Sequence, residues 1–182
     1  KKKSLKNIKG IVYKKDGEIV DNGIRSLNEL NLNKSDILPY HLLDMERYIF
    51  KKEGDRGIFY ISSRGCPFNC TFCADKLVYN SRLERSPENV LKDIKYLIDV
   101  YKINSINFKD TNFFINKEKV KKICGGIIQN KWDIKWTSYI RVDQFINLGD
   151  DKIFLYGKKS FRFSRNGFSN RVSFWLCLQL SL

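Results

Sequence analysis

The chain has 182 residues, enough for one domain of ordinary size with one contiguous core but not for two full domains. Hydrophobic residues make up 42% and charged residues 30% of it, which excludes a disordered tail and a bundle embedded in lipid. The formal net charge of +14 favours anionic partners such as RNA or a phosphate-bearing ligand. Six of these charges belong to the acid-free stretch 152–182, and the remaining +8 is only weak support for nucleic acid.

The cysteine usage and the chain ends indicate a reducing, cytoplasmic setting. The chain has five cysteines, an odd number, and three of them are too close together to staple distant parts of a secreted fold. The charged start, 1–9, is followed by no apolar signal sequence. The apolar stretch 172–182 falls short of the ~20 residues that a membrane span needs, so no membrane partner is expected.

The first third of the chain predicts a hairpin followed by a linker. Residues 8–20 read as two short strands joined by a turn at Asp16-Gly17. The stretch 21–56 is Asn-rich and weakly periodic, with a short helix candidate after Pro39, and is interpreted as a linker or lid.

The middle of the chain predicts an α/β fold with parallel strands. Strands are expected at 58–62, 105–108 and 134–140, and helices starting at Ser86-Pro87-Glu88 and at Asn116. This alternation favours parallel strands with right-handed crossovers. The inner face of the second helix is predicted from helical spacing to be Val120, Ile123, Ile127 and Ile128. Cys124 lies on the same stripe, where a cysteine is more often a small buried hydrophobe than a ligand.

Periodicity is lost after Asp143, and no element is predicted there. Acidic residues also disappear soon afterwards. We interpret 144–182 as a degenerate or frameshifted tail, starting at Gln144 or a later residue. Translation of the other two reading frames would test this interpretation.

Three cysteines form the most informative motif. Cys66, Cys70 and Cys73 have C-x-x-x-C-x-x-C spacing on a loop containing Gly65 and Pro67, directly after the first predicted strand of the alternation. Three thiolates can ligate three of the four irons of a [4Fe-4S] cluster, which leaves one iron open to bind a small molecule through an amine and a carboxylate.

Two other readings of the cysteines stay open. A structural zinc site usually takes four ligands in two pairs, whereas this chain has no second C-x-x-C and a single histidine, His41. A zinc- or cluster-stabilised basic module that binds RNA would use Cys124 as the fourth ligand. A ferredoxin-like carrier would need a fourth cysteine nearby, and Cys177 has no supporting context.

The cysteine loop and its surroundings resemble the radical S-adenosylmethionine (radical SAM) superfamily. The loop ends in an aromatic residue, Phe72, directly before the third cysteine. Further similar segments run from about Ile8 to Asp143 and resemble the branch associated with cobalamin-binding domains. They are Ser62-Ser63-Arg64-Gly65, Arg85-Ser86-Pro87-Glu88-Asn89-Val90, Phe108-Lys109-Asp110-Thr111-Asn112-Phe113, and Trp136 through Arg141-Val142-Asp143.

The resemblance implies a fold, a reaction and roles for particular residues. Cys66, Cys70 and Cys73 would ligate a [4Fe-4S] cluster and Phe72 would contact the adenine of S-adenosylmethionine. An electron from the reduced cluster would cleave S-adenosylmethionine to a 5'-deoxyadenosyl radical, which abstracts hydrogen from substrate or leads to methyl or methylthio transfer. A cellular reductant of flavodoxin or ferredoxin type would supply the electron. The remaining candidates for holding S-adenosylmethionine are Asp110, Thr111, Arg141 and Asp143; alternatively, Asp110 and Asp143 are strand-end turn formers.

The chain departs from this family in two respects. Pro39 precedes His41 where a cobalamin-ligating D-x-H motif would place Asp, so no cobalamin binding is expected from this chain alone. Only three of the six β/α units of the partial barrel can be counted. We therefore predict a connector at 1–56, the N-terminal half of a radical SAM barrel at 57–143, and the tail at 144–182, with catalytic competence left open.

Overall fold

The computed structural model describes the chain from Ser4 to Gln144, with gaps, and the backbone of one strand near its end. The described residues are 4–25, 30–34, 37–52, 54–71, 73–79, 81–141, 143–144 and 175–180. The strands are β1 (Val12–Lys15), β2 (Glu18–Asp21), β3 (Phe50–Lys52), β4 (Asp55–Tyr60), β5 (Ser63–Arg64), β6 (Leu83–Glu84), β7 (Ser105–Phe108), β8 (Lys135–Arg141) and β9 (Trp175–Leu180). The α-helices are α1 (Asp75–Val78), α2 (Pro87–Tyr101) and α3 (Lys117–Gln129). Short 3₁₀ helices span Leu5–Asn7, Tyr40–Leu42, Met45–Arg47 and Phe113–Ile115.

The predicted hairpin is confirmed. Strands β1 and β2 pair antiparallel, with Lys15 opposite Glu18. Asp16 and Gly17 lie between them with φ angles of 50° and 90°. Two successive residues with positive φ are what a tight turn between twisted antiparallel strands requires.

The central sheet has five strands in the order β3-β4-β7-β8-β9. Strands β4, β7 and β8 are parallel and follow the predicted alternation with α2 and α3. Strand β3 pairs antiparallel with β4 at one edge, and β9 pairs antiparallel with β8 at the other. The strands within the described ranges form an open sheet without evident barrel closure, so the partial barrel stays a prediction.

Capping residues mark the start of both long helices, which begin where the sequence predicts. The Ser86 hydroxyl accepts a hydrogen bond from the amide of Asn89 at the start of α2, and Pro87 occupies the first helical turn. The Asn116 side chain accepts one from the amide of Lys119 at the start of α3. Each cap satisfies a backbone N–H that has no partner within its own helix.

Helix α3 contains two successive glycines, and one of them lies at the contact with α2. A Cβ at Gly126 would lie 2.3 Å from the side chain of Leu91 on α2, whereas one at Gly125 would meet nothing within 4 Å. The predicted inner face is correct for Val120, Ile123 and Ile127, all buried. It is wrong for Ile128, which is 51% exposed because it lies about 100° around the helix from Ile127.

The core lies between the sheet and the two long helices. Alternate residues of β8 are buried, as expected for a strand covered on one face. An aromatic row crosses β4, β7 and β8 on the covered face, with edge-to-face contacts between Tyr60 and Phe108 and between Phe108 and Trp136. Val90, Ile94 and Leu97 of α2 are fully buried against it.

The tail contributes one strand that the sequence reasoning did not predict. Strand β9 pairs with six of the seven residues of β8, from Trp175 opposite Arg141 to Leu180 opposite Trp136. Its antiparallel direction departs from the parallel order of β4, β7 and β8. The other residues after Gln144 lie outside the described ranges, and the division into connector, half barrel and tail stays a prediction.

The described helices can be compared with the length and hydrophobicity that a membrane span requires. None of them is both long and apolar enough to cross a bilayer.

Candidate metal and cofactor site

The cysteine loop leaves the sheet at the carboxyl end of β4, and a short ladder closes its base. Strand β5 pairs antiparallel with β6, so Ser63 lies opposite Glu84. Gly65 begins the loop with a φ of +84°, and a Cβ there would lie 2.1 Å from the carbonyl oxygen of Ser81. The two ends of the loop can approach this closely only because residue 65 is glycine.

The three loop cysteines are half-buried free thiols. The amide of Cys73 donates to the carbonyl oxygen of Cys70 at 3.1 Å, which makes a turn between these two cysteines. Burial raises the pKa of the Cys66 thiol, although a hydrogen bond from the Phe68 backbone partly opposes this. Cys124 lies instead in the core on α3, where burial raises its pKa to about 12, as expected of a small buried hydrophobe.

The donor set fits an iron–sulfur cluster chemically, since one loop carries three cysteines that form no disulfide, and cysteine thiolates are the usual ligands of such clusters. The arrangement is not yet a closed metal site. Across the described ranges, no three or more His, Cys, Asp or Glu side chains are grouped closely enough to hold a metal ion. Ligation by all three cysteines therefore needs the loop to draw the sulfur atoms closer together.

Arg141, at the end of β8, reaches the cysteine loop. Its Nη1 lies 3.4 Å from Sγ of Cys70, and its guanidinium carbon lies 3.9 Å from the ring centroid of Phe68. Asp143 accepts from Nε at 3.0 Å and from Nη2 at 3.1 Å, a two-pronged contact that orients the guanidinium. These hydrogen bonds lower the pKa of Asp143. The structure thus brings the predicted residues Arg141 and Asp143 together beside one of the predicted ligands.

The other predicted contacts of S-adenosylmethionine are placed differently. Asp110 is 1% exposed, and its oxygens accept hydrogen bonds from the amide and hydroxyl of Ser62 and from the hydroxyl of Ser63. Its contacts are those of a residue that holds the start of the cysteine loop, while its predicted role in ligand binding stays a prediction. Thr111 is half-buried, and Phe72 lies outside the described residues.

Sequence reasoning missed Lys119, which lies beneath this same segment. Its Nζ donates to the carbonyl oxygen of Ser62 at 2.9 Å and to the hydroxyl oxygen of Ser62 at 3.0 Å. A signal was present, because Lys119 precedes Ile123 and Ile127 at intervals of four and so shares their buried face. The contact with Ser62 was not predicted because a lysine within an amphipathic helix is usually exposed.

The returning end of the loop is also anchored by side chains. Arg82 donates from Nε to Glu84 at 2.8 Å and from Nη1 to the carbonyl oxygen of Gly65 at 3.1 Å. Asn116, the cap of α3, donates to the other oxygen of Glu84 at 2.9 Å. Burial acts to raise the pKa of Glu84, but the hydrogen bonds from Asn116 and Arg82 outweigh it and lower the pKa.

Comparison with curated proteins finds relatives named as methyltransferases and as a cyclase. The chain is 36% identical over 146 residues to an uncharacterised methyltransferase of Pyrococcus horikoshii, covering 80% of this chain and 31% of that protein. It is 22% identical over 147 residues to the anaerobic magnesium-protoporphyrin IX monomethyl ester cyclase of a Synechocystis strain, covering 80% and 29%. An uncharacterised methyltransferase of that strain is 27% identical over 131 residues, covering 71% and 23%.

The chain therefore resembles enzymes that are named methyltransferase and cyclase. The chain spans less than a third of the length of each. No family model matches the chain. No solved structure matches it either.

Proposed function

We propose that this chain carries the cluster-binding part of a radical SAM enzyme that modifies its substrate by methyl transfer or ring formation. The names of the relatives support the two reaction outcomes. The cysteine spacing and the segments around it support the radical SAM chemistry. The substrate is left unassigned, because cores of this kind are combined with many different substrate pockets.

One observation carries the proposal: side chains from two separate strand ends meet at the cysteine loop. The loop follows β4, and Arg141 comes from the end of β8, two strands away in the sheet. Ligands of open parallel sheets bind outside the carboxyl ends of the strands, and both segments lie at such ends.

Each residue of the site has a defined task in this proposal. Cys66, Cys70 and Cys73 hold the [4Fe-4S] cluster, which when bound and reduced supplies the electron for cleavage of S-adenosylmethionine. Arg141 offers a fixed cation to the carboxylate of S-adenosylmethionine, and Asp143 keeps the guanidinium oriented. Phe72, the aromatic residue before the third cysteine, contacts the adenine.

Two further participants complete the proposal. An electron carrier of flavodoxin or ferredoxin type delivers the electron, and Thr111 borders the site at the end of β7. The zinc alternative finds no support in Cys124, because that thiol is buried in the core on α3.

Anaerobic reconstitution of the chain with iron and sulfide tests the proposal. We expect broad visible absorption and an electron paramagnetic resonance (EPR) signal of the reduced cluster that shifts when S-adenosylmethionine is added. Cys66→Ala is expected to lose at least half of the iron bound by the unaltered chain, because one of three ligands is removed.

The matched control is Cys124→Ala, which removes a thiol of the same kind from the core and should retain the full iron content. Retention of zinc without an iron chromophore would contradict the proposal. A cluster signal that does not respond to S-adenosylmethionine would reduce it to an electron carrier or an inactive fragment.

A further inference from the structure

Ser62 stands at the junction between β4 and the cysteine loop, and every polar atom of this residue is held. It is fully buried. Its amide and its hydroxyl donate to the two oxygens of Asp110, at 3.0 and 2.8 Å. Its carbonyl oxygen accepts from the amide of Arg85 at 2.8 Å. The remaining contacts come from Lys119, which donates to both the carbonyl and the hydroxyl oxygen.

Lys119 is an unusual residue for this position, because buried lysines are costly unless their charge is compensated. It is only 4% exposed, and burial lowers its pKa. The negative charges of Glu84 and Asp110 act in the opposite direction and favour the protonated form. Both carboxylates also bear on the ends of the cysteine loop: Asp110 accepts from the hydroxyl of Ser63, and Glu84 accepts from Arg82, which itself donates to the carbonyl oxygen of Gly65.

A nonpolar residue of similar length would fill the same space but could not make these contacts. The carbonyl and hydroxyl oxygens of Ser62 would lose a shared donor, and Asp110 would lose a compensating charge. Both hydrogen bonds of the Lys119 ammonium go to Ser62, at the junction between β4 and the cysteine loop. Lys119 therefore holds the backbone at the residue from which the cysteine loop leaves β4.

We propose that Lys119 is a positioning residue that, through Ser62, sets the direction in which the cysteine loop leaves β4. The importance of this direction rests on the proposed function, since it decides where the thiols of Cys66, Cys70 and Cys73 can meet. Lys119 touches neither cluster nor substrate in this role. It acts from α3 on the strand end, with Asp110 as its counterpart from the end of β7.

The first test uses the metal-free chain and follows amide hydrogen exchange in the peptide that contains residues 62–65. Lys119→Met retains the length of the side chain and removes its donors. We expect exchange in this peptide to become at least about tenfold faster, because hydrogen bonds from a charged group are lost. Ser62→Ala removes only the hydroxyl, and should give a smaller acceleration in the same peptide.

Two controls separate positioning from general loss of stability. Ile123→Val shortens a buried side chain of the same helix and lowers overall stability without touching Ser62. Lys122→Met removes an exposed lysine of the same helix. Neither should change exchange at 62–65 relative to the rest of the sheet.

The second test compares reconstituted proteins by the EPR signal of the reduced cluster. For Lys119→Met and Ser62→Ala we expect changed g values, a signature that Ile123→Val should not show. Unaltered exchange and an unaltered signal in Lys119→Met would overturn the inference. Failure of the unaltered chain to take up iron would instead contradict the proposed function, and the exchange data would still decide whether Lys119 positions the loop.

Discussion

Arg141 links the third parallel strand to the cysteine loop. It contacts the thiol of Cys70 and the ring of Phe68, and Asp143 orients it from two positions away in the sequence. A planar guanidinium can make all three contacts at once, whereas a lysine ammonium is a point charge without a flat face. The contacts of residue 141 therefore require the planar shape of a guanidinium as well as its positive charge.

This distinction leads to a prediction for Arg141→Lys. Charge is retained, but the two-pronged contact with Asp143 and the stacking on Phe68 are lost. We expect affinity for S-adenosylmethionine, measured from the shift of the cluster signal, to fall about tenfold or more. Arg47→Lys, at an exposed arginine, is the control and should bind as the unaltered chain does. Equal affinity in both variants would remove Arg141 from the site.

Among the packed elements, α2 and α3 contact each other at one small residue, Gly126. Leu91 of α2 lies over Gly126 of α3, at a place where a methyl group has no room. Gly125, directly before it, points a hypothetical Cβ into open space. The pair of glycines thus offers an internal comparison of helix propensity with helix packing.

We expect alanine to act oppositely at these two glycines. Gly125→Ala should stabilise the chain by about 0.5–1 kcal/mol, because alanine restricts the unfolded chain and favours the helix. Gly126→Ala should be less stable than Gly125→Ala by about 1–3 kcal/mol, since Leu91 must leave its position. Urea unfolding measures both values. Equal stabilisation by both substitutions would show that the helices do not pack as described.

The elements also show what sequence reasoning could and could not reach. The start signal Ser86-Pro87-Glu88 and the regular spacing of apolar residues predicted α2 and α3, and short β-rich runs predicted the three parallel strands, because these signals are local. The ladder between β5 and β6 has only two residues on each side, and nothing local marks so short a pairing. Strand β9 was missed for a related reason, since its partner β8 is distant in sequence.

The candidate site shows the same division between local and tertiary information. The cysteine spacing identified the loop, and strand ends identified Arg141 and Asp143, which the structure brings to that loop. The surroundings of Asp110 and Lys119 depend on the packing of α3 under β4, which no local pattern specifies. Burial of a charged residue can be recognised only once the fold shows which partners compensate its charge.

At the scale of the molecule, a buried ion pair joins the segment before the sheet to the helical layer. Asp93 of α2 is fully buried and accepts hydrogen bonds from Arg85, from the hydroxyl of Tyr60 and from the amide of Leu38. Arg85 also donates to the carbonyl oxygen of Leu32. The segment that carries Leu32 and Leu38 therefore shares one polar network with the sheet, which favours their unfolding as one unit.

Removal of this network should reduce the stability of both parts together. Asp93→Ala leaves the Arg85 charge buried without its partner, and we expect a loss of about 3–5 kcal/mol in the free energy of unfolding. Asp99→Ala, on the exposed side of the same helix, breaks only a surface pair with Lys95 and should cost less than about 0.5 kcal/mol. Separate unfolding transitions for the segment 30–49 and for the sheet, detected by hydrogen exchange, would contradict the shared network.

The ladder between β5 and β6 gives the cysteine loop a thermodynamic property of its own. By joining the loop ends in the folded chain, it places the entropy of loop closure within folding, so that a ligand meets a loop whose two ends are already joined. Anything that binds this segment only in the folded chain raises the unfolding temperature, and the rise increases with the ratio of free ligand concentration to Kd. The unfolding temperature of the chain therefore reports how far the loop is occupied by ligand.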